Sequence, residues 1–323
     1  MKKLFFLLMT VCMVYASAAG SLVMVRSDND ENFLSSPSQM NLSALDNSFD
    51  KNLDTVIFIH GYMNNYSSCK GTYESAVSAV KTKLGNINYV GFHWPSKVAW
   101  FGTAIERASQ SGPFVAYLAK HITNLYKDDK GNYNGHKIHI ISHSLGGHVT
   151  LSTLKSSNSN IAWGYLCYMA PAVHNDAFQK SFCGVNTKGQ IANNIYHSTR
   201  DGVLVYLYGL YDKLFHDDLT LDFYPEAIEN FLFNMTTEEQ LAYWEALDEK
   251  IENEGYLPGR GDELDAFLME QEEKAKREAM GINGALDGTK IYNKNYHDYA
   301  SSHSSYWEAE NLKRIASNIT LKQ

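Results

Sequence analysis

From residue 53 onward, apolar positions follow two alternating periods. Residues 53–60 form a β-branched, apolar run, with Val56, Ile57, Phe58 and Ile59 in succession, and stop at Gly61. A run apolar on both faces predicts a strand buried on both sides. Residues 72–84 carry Ala76, Val77 and Val80 at helical spacing and end at Gly85, which suits a C-cap. Residues 87–94 predict a second strand closed by Pro95, and 113–126 a helix. A strand over 137–142, a helix over 145–155 and strands over 161–169 and 190–198 follow. This order implies the α/β class: a mostly parallel, doubly wound sheet with helices on both faces.

Composition changes between residues 217 and 280. That stretch holds 19 Asp or Glu against 5 Lys or Arg, a local net of −14 within a total of −8, so the rest of the chain carries +6. Thr237 before Glu238 and Glu239 is a capping pattern, and the following apolar residues recur three and four apart. A Gly/Pro-rich turn over 255–261 separates two expected helices. The expected organisation is a leader over 1–18, a core over 19–216, a helical acidic insertion or cap over 217–288, and the rest of the core over 289–323. Phe223, Tyr224, Phe231, Phe233, Tyr243 and Trp244 either wall a pocket for an acyl chain or form the insertion's own core.

The first residues address the chain. Lys2 and Lys3 precede an apolar run over 4–15 and the small residues Ala16, Ser17 and Ala18. The run is shorter than the roughly 20 residues that span a bilayer, so it predicts a signal peptide cleaved after Ala18 or Ala19 and an exported, periplasmic or secreted protein. Val11 lacks the small side chain expected before a lipidated Cys12. Cleavage leaves Cys69, Cys167 and Cys183, which allow at most one disulfide and include no C-x-x-C pair, so no structural zinc is expected. With net charge −8, a pI near 5.8 and no basic stripe, nucleic acid is not an expected partner. Sequons at Asn41, Asn65, Asn234 and Asn318 matter only in a glycosylating host. Nothing in the pattern indicates an oligomeric state.

The chemistry centres on Ser142-His143-Ser144-Leu145-Gly146-Gly147, where an apolar strand runs into a tight turn and then a helix. A nucleophile elbow needs small residues two before and two after the nucleophile, and Ser142 and Gly146 supply them around Ser144; Ser142 departs from the usual glycine. A serine nucleophile requires a base and an acid to orient that base. His303, just before the terminal helical pattern over 308–316, is the expected base, and His297 the alternative. Asp201, past the end of the 190–198 strand, is the expected acid, and Asp176, after the preceding strand, the alternative. Main-chain N–H groups of Leu145 and Tyr62 are the expected oxyanion donors. His60 is expected to orient its loop, and His143 and His148 to line or pack rather than bind a metal. No metal or organic cofactor is called for.

Phe58-Ile59-His60-Gly61-Tyr62, Phe92-His93-Trp94-Pro95-Ser96, the Ser144 elbow, Met169-Ala170-Pro171, Tyr196-His197-Ser198-Thr199-Arg200-Asp201 and His303-Ser304-Ser305-Tyr306-Trp307 together resemble the α/β-hydrolase superfamily. More narrowly, they are similar to a bacterial serine-esterase-like group of unknown function marked by an HGY loop and a WPS turn. The likeness covers roughly 53–212 and 296–316 and leaves out the acidic insertion. It implies a triad of Ser144, Asp201 and His303 with an oxyanion hole at Tyr62 and Leu145. The elbow also resembles that of lipases, some of which carry the acid where Asp176 stands. The expected activity is hydrolysis of small-molecule or lipid carboxylic esters through an acyl-enzyme. The alternatives are a triacylglycerol lipase with a mobile lid and a non-catalytic binding protein on the same scaffold. The −14 insertion disfavours attraction to anionic membrane surfaces.

Overall fold

The computed structural model describes residues 20–99, 101–157, 161–173, 192–198, 201–204, 281, 285 and 291–322. Seven strands make one sheet: β1 (Leu22–Arg26), β4 (Thr55–Ile59), β5 (Asn88–His93), β6 (Ile138–His143), β7 (Trp163–Met169), β8 (Ala192–His197) and β9 (Ile291–Asn295). Their order is β1-β5-β4-β6-β7-β8-β9, and every neighbouring pair is parallel. A two-residue hairpin pairs β2 (Asp28–Asn29) with β3 (Asn32–Phe33). Every residue of β4, β5 and β6 is buried, which is why β4 reads as a nearly continuous apolar run and the polar residues of β5 and β6, such as Asn88, His93, Ser142 and His143, are hydrogen-bonded.

The described helices are α1 (Ser43–Ser48), α2 (Tyr66–Leu84), α3 (Phe101–Leu125), α4 (Leu145–Ser156) and α5 (Ala309–Ala316). From β4 the chain steps to β5 on one side, then crosses back over β4 to β6 on the other. Right-handed crossovers in opposite directions put α2 and α3 on opposite faces. Helix α2 packs against α5, and α3 against α4. The reversal falls between β4 and β6, and it is at the carboxyl ends of the strands flanking such a switch point that an open α/β sheet gathers its ligand.

Helix α2 begins before the expected residue 72, because Asn65 and Ser68 form a capping box: Asn65 Oδ1 accepts the Ser68 N–H at 2.9 Å and Ser68 Oγ accepts the Asn65 N–H at 3.2 Å. Helix α3 corrects the expected start at Pro113, which lies inside the helix. Proline removes one helical N–H and so strands the carbonyl four residues back. Here that carbonyl, of Ser109, accepts Ser152 Oγ–H from α4 at 2.6 Å, so the helix continues through the proline. Strands β1 and β9, at the two sheet edges, were not anticipated from the sequence pattern.

The leader, Asp176, Cys183 and residues 217–288, apart from Gly281 and Ala285, lie outside the described residues. Among the described residues, Leu204 and Gly281, on either side of the acidic segment in sequence, stand side by side. A Cβ added to Gly281 would stand 2.2 Å from Leu204 Cδ1. Gly281 donates its N–H to Pro171 O at 3.0 Å and accepts the Ser198 N–H at 3.0 Å. Leu204 and Gly281 therefore lie together beside the carboxyl ends of β7 and β8.

Candidate active site

Ser144 joins β6 to α4 with φ 53° and ψ −124°. For a residue with a Cβ, that left-handed backbone costs roughly 1–3 kcal/mol and persists only where its surroundings hold it. The Ser144 N–H donates to Met169 O at 3.0 Å, and its carbonyl accepts from Gly147 N–H at 2.9 Å and Ala172 N–H at 3.1 Å. Crowding is severe: a Cβ on Gly146 would lie 2.6 Å from Ile59 O and 2.7 Å from His60 O. Ser142 is tolerated in the glycine's usual place because its buried hydroxyl donates to Cys167 O at 3.4 Å.

Asp201 and His303, 102 positions apart, meet at the same end of the sheet. His303 Nδ1 lies 2.8 Å from Asp201 Oδ2, and the two side chains are 10% and 0% exposed. Asp201 Oδ1 accepts the Leu204 N–H at 3.0 Å, so both carboxyl oxygens are engaged. An ionised carboxylate accepts only, which makes His303 Nδ1 the donor and leaves Nε2 as the unprotonated ring nitrogen. The His303 loop is fastened from below, where Asn311 Nδ2 donates to Tyr299 O and Ser305 O, each at 2.9 Å. It is fastened to the elbow too: His143, directly before Ser144, donates from Nε2 to His303 O at 2.7 Å, with ring centroids 4.6 Å apart. Burial, followed by repulsion from His303, holds His143 well below the ordinary histidine range, so it is a neutral donor. His297, the alternative base, sits in the turn after β9 with its N–H on Asn295 Oδ1 at 2.8 Å; the described partner of Asp201 is His303.

The HGY and WPS segments clasp one another. Trp94 Nε1–H donates to His60 O at 2.9 Å, the Trp94 N–H to His60 Nε2 at 3.2 Å, and the two rings stack 5.5 Å apart. Ser96 Oγ donates to Asn64 O at 3.1 Å and accepts the Asn64 N–H at 3.0 Å, while the Met63 N–H reaches Ser96 O at 3.3 Å. Tyr62 is thereby set beside the elbow: a Cβ on Gly61 would stand 2.7 Å from Ser144 Cβ. Among the described residues no main-chain carbonyl accepts the Tyr62 N–H. Leu145, the first residue of α4, has an N–H without an intrahelical acceptor.

A family profile described as alpha/beta hydrolase of unknown function (DUF900) matches residues 38–208, just over half of the chain. The chain belongs to this family. No curated protein matches it. Among solved structures, this alpha/beta hydrolase is similar to a lipase-esterase related protein from Clostridium acetobutylicum at 13% identity, covering 84% of this chain and 97% of that one, with a TM-score of 0.33. It is also similar to a Bacillus licheniformis lipase in mature form (12% identity, 84% and 89% covered, TM-score 0.34) and to an uncharacterized protein from Bacillus cereus (18%, 60% and 60%, 0.31).

Two further described histidines of the hydrolase, His60 and His148, are held by hydrogen bonds to neighbouring elements. Burial, followed by repulsion from His93, lowers His60 to about 3, so it stays neutral and donates from Nδ1 to Gly61 O at 2.8 Å. His148, lowered to about 4 by burial, shares a 2.8 Å hydrogen bond with Ser109 Oγ on α3. Cys69 and Cys167 are buried free thiols. The tie from His143 to the His303 carbonyl was missed from sequence; its one local signal is a histidine beside the elbow serine, where a strand buried on both faces has no need of one.

Proposed function

We propose that this alpha/beta hydrolase is an exported serine hydrolase that cleaves carboxylic esters through an acyl-enzyme. The observation that carries the reading is the buried Asp201–His303 pair fastened, through His143, to the strained turn that presents Ser144. His303 Nε2 takes the Ser144 Oγ proton as Oγ adds to the acyl carbon, and the N–H groups of Tyr62 and Leu145 hold the oxygen that becomes negative. Collapse of the adduct breaks the ester C–O bond, and His303 returns the proton to the departing alcohol. Water, deprotonated in turn by His303 Nε2, then adds to the acyl-enzyme, and the carboxylic acid leaves as Ser144 recovers its proton. Asp201 holds the imidazole in the required tautomer and offsets its positive charge. Asp176 and His297 have no part in this scheme, which uses no cofactor.

The contact between Leu204 and Gly281 supports an acidic segment that caps the strand ends, and an acyl-selective cap is the form in which a lipase reading survives. A p-nitrophenyl ester series from acetate to palmitate tests both. Turnover lost in Ser144→Ala supports the hydrolase, an optimum at short chains favours the esterase over the lipase, and no turnover on any ester overturns both. Export is tested by whether the protein recovered outside the cytoplasm begins after Ala18 or Ala19.

A further inference from the structure

Gly281 joins two turns of the proposed active site beyond the point where strand pairing holds them. The β7–β8 ladder ends with Met169 opposite Tyr196, and the Ala170 N–H reaches Tyr196 O at 2.9 Å. Ala170 then takes a left-handed φ of 42°, and from there the two chains serve different halves of the site. On one side residues 169–172 clamp the elbow, since Met169 O accepts the Ser144 N–H and the Ala172 N–H reaches Ser144 O. On the other, Ser198 O accepts the Asp201 N–H at 3.2 Å, and the Leu204 N–H holds Asp201 Oδ1 at 3.0 Å. Between them stands Gly281, a buried residue from beyond the acidic segment. Its N–H donates to Pro171 O and its carbonyl accepts the Ser198 N–H, each at 3.0 Å, so one distant residue bridges the two chains after β7 and β8 cease to pair.

We infer that Gly281 is a positioning residue, which fixes the Asp201 turn against the clamp on Ser144. Its φ lies outside the left-handed region, so room rather than conformational freedom demands glycine here. A Cβ would stand 2.2 Å from Leu204 Cδ1, 2.7 Å from Ala170 C and 2.9 Å from Pro171 N. The leucine tip can rotate away. The two main-chain atoms cannot, and non-bonded heavy atoms need about 3.5 Å, so an added methyl wedges Gly281 from 170–171 by about half an ångström or more. The Ser198 N–H then either follows Gly281 O or loses it, and in both cases Asp201 shifts relative to Ser144. The inference rests on the proposed triad of Ser144, His303 and Asp201, and adds to it a residue whose described bonds reach none of the three.

The test uses the full chain carrying Gly281→Ala, compared with Gly164→Ala at the opposite end of β7, where a Cβ would stand 2.5 Å from His139 Cε1. Both variants should lose stability in urea unfolding. Only Gly281→Ala should lose activity, with kcat on a short p-nitrophenyl ester roughly 10- to 100-fold lower and KM little changed. Proton NMR of the free protein reads the displacement without substrate: the downfield His303 Nδ1–H resonance, identified by its loss in Asp201→Asn, should move in Gly281→Ala and stay in Gly164→Ala. Hydrogen exchange on the wild type needs no variant to fold, and the Gly281 and Ser198 amides should be as protected as those of β7. The inference is overturned by Gly281→Ala with kcat within about twofold of wild type and an unmoved resonance, by an equal kinetic loss in Gly164→Ala, or by Gly281 and Ser198 amides that exchange as fast as those of an exposed loop. Wild-type protein that neither turns over esters nor takes a fluorophosphonate overturns the serine-hydrolase reading itself, while the resonance and the exchange still report on the Gly281 bridge.

Discussion

Replacing Asp201 by Asn changes one atom type and tests how the site sets its proton inventory. In the native protein Asp201 Oδ1 accepts the Leu204 N–H at 3.0 Å and Oδ2 faces His303 Nδ1 at 2.8 Å. An asparagine must keep its amide oxygen toward Leu204, because the alternative sets two donors against one another in a site that is 1% exposed. The amide NH2 then points at His303 Nδ1 and converts that nitrogen to an acceptor. The proton moves to Nε2, which can no longer take one from Ser144. In serine hydrolases of this logic the wrong tautomer lowers kcat by roughly 10^4, equivalent to about 5 kcal/mol of transition-state stabilisation. The assay is kcat and KM on a short p-nitrophenyl ester, with urea unfolding to confirm that the variant is folded. The expectation is a collapse in kcat with KM little changed, against near-native kinetics for Asp176→Asn. Asp201→Asn activity within tenfold of wild type, or a large loss in Asp176→Asn, would refute the assignment.

Other consequences follow from the same contacts. Ser96→Ala removes both side-chain bonds to Asn64 and loosens the Tyr62 N–H; steady-state kinetics should show kcat reduced roughly 10- to 100-fold, below the 10^2–10^3 expected for deleting an oxyanion donor outright. Burial alone would raise the Asp54 pKa, but bonds from His139, the Lys137 and Lys322 N–H groups and His136 outweigh it and hold it down to about 2. The folded pKa is therefore below the unfolded one, so the stabilisation is present above about pH 4 and lost as pH falls toward 2. Asp54→Asn should cost about 2 kcal/mol in urea unfolding at pH 7, and the deficit should shrink through that acid window. His148 is lowered to about 4 by burial, so the unfolded chain binds its proton first as pH falls from 6.5. His148→Gln should lessen acid destabilisation between pH 6.5 and 4 by about 3 kcal/mol, read from unfolding curves across that range.

How legible the molecule was in its sequence depended on whether the cause was local. Strand β4 announces itself because burial on both faces leaves polar residues little room, β6 and β7 through their apolar cores Ile140-Ile141 and Leu166-Cys167-Tyr168-Met169, and the Ser144 turn because its crowding against Ile59 and His60 admits only glycine at 146. Strand β9, with Asn293, Lys294 and Asn295, carries a weak pattern because among the described residues it pairs only with β8 and much of it is exposed. The true start of α3 was hidden since Pro113 is made tolerable by Ser152 on another helix, a contact with no sequence signature. Position before the terminal helix and past the 190–198 strand favours His303 over His297 and Asp201 over Asp176, but only the fold brings Asp201 and His303 to 2.8 Å across 102 positions. The HGY and WPS segments read as separate motifs, yet their hydrogen bonds make them one structure.

The central claim is that Ser144 is the nucleophile activated by His303, and the most direct measurement is fluorophosphonate labelling followed by peptide mass spectrometry. The account predicts one phosphonylated residue, Ser144, with labelling abolished in Ser144→Ala and slowed by orders of magnitude in His303→Ala. A folded wild-type protein that takes no label, or one labelled at another serine while ester turnover persists in Ser144→Ala, would contradict it.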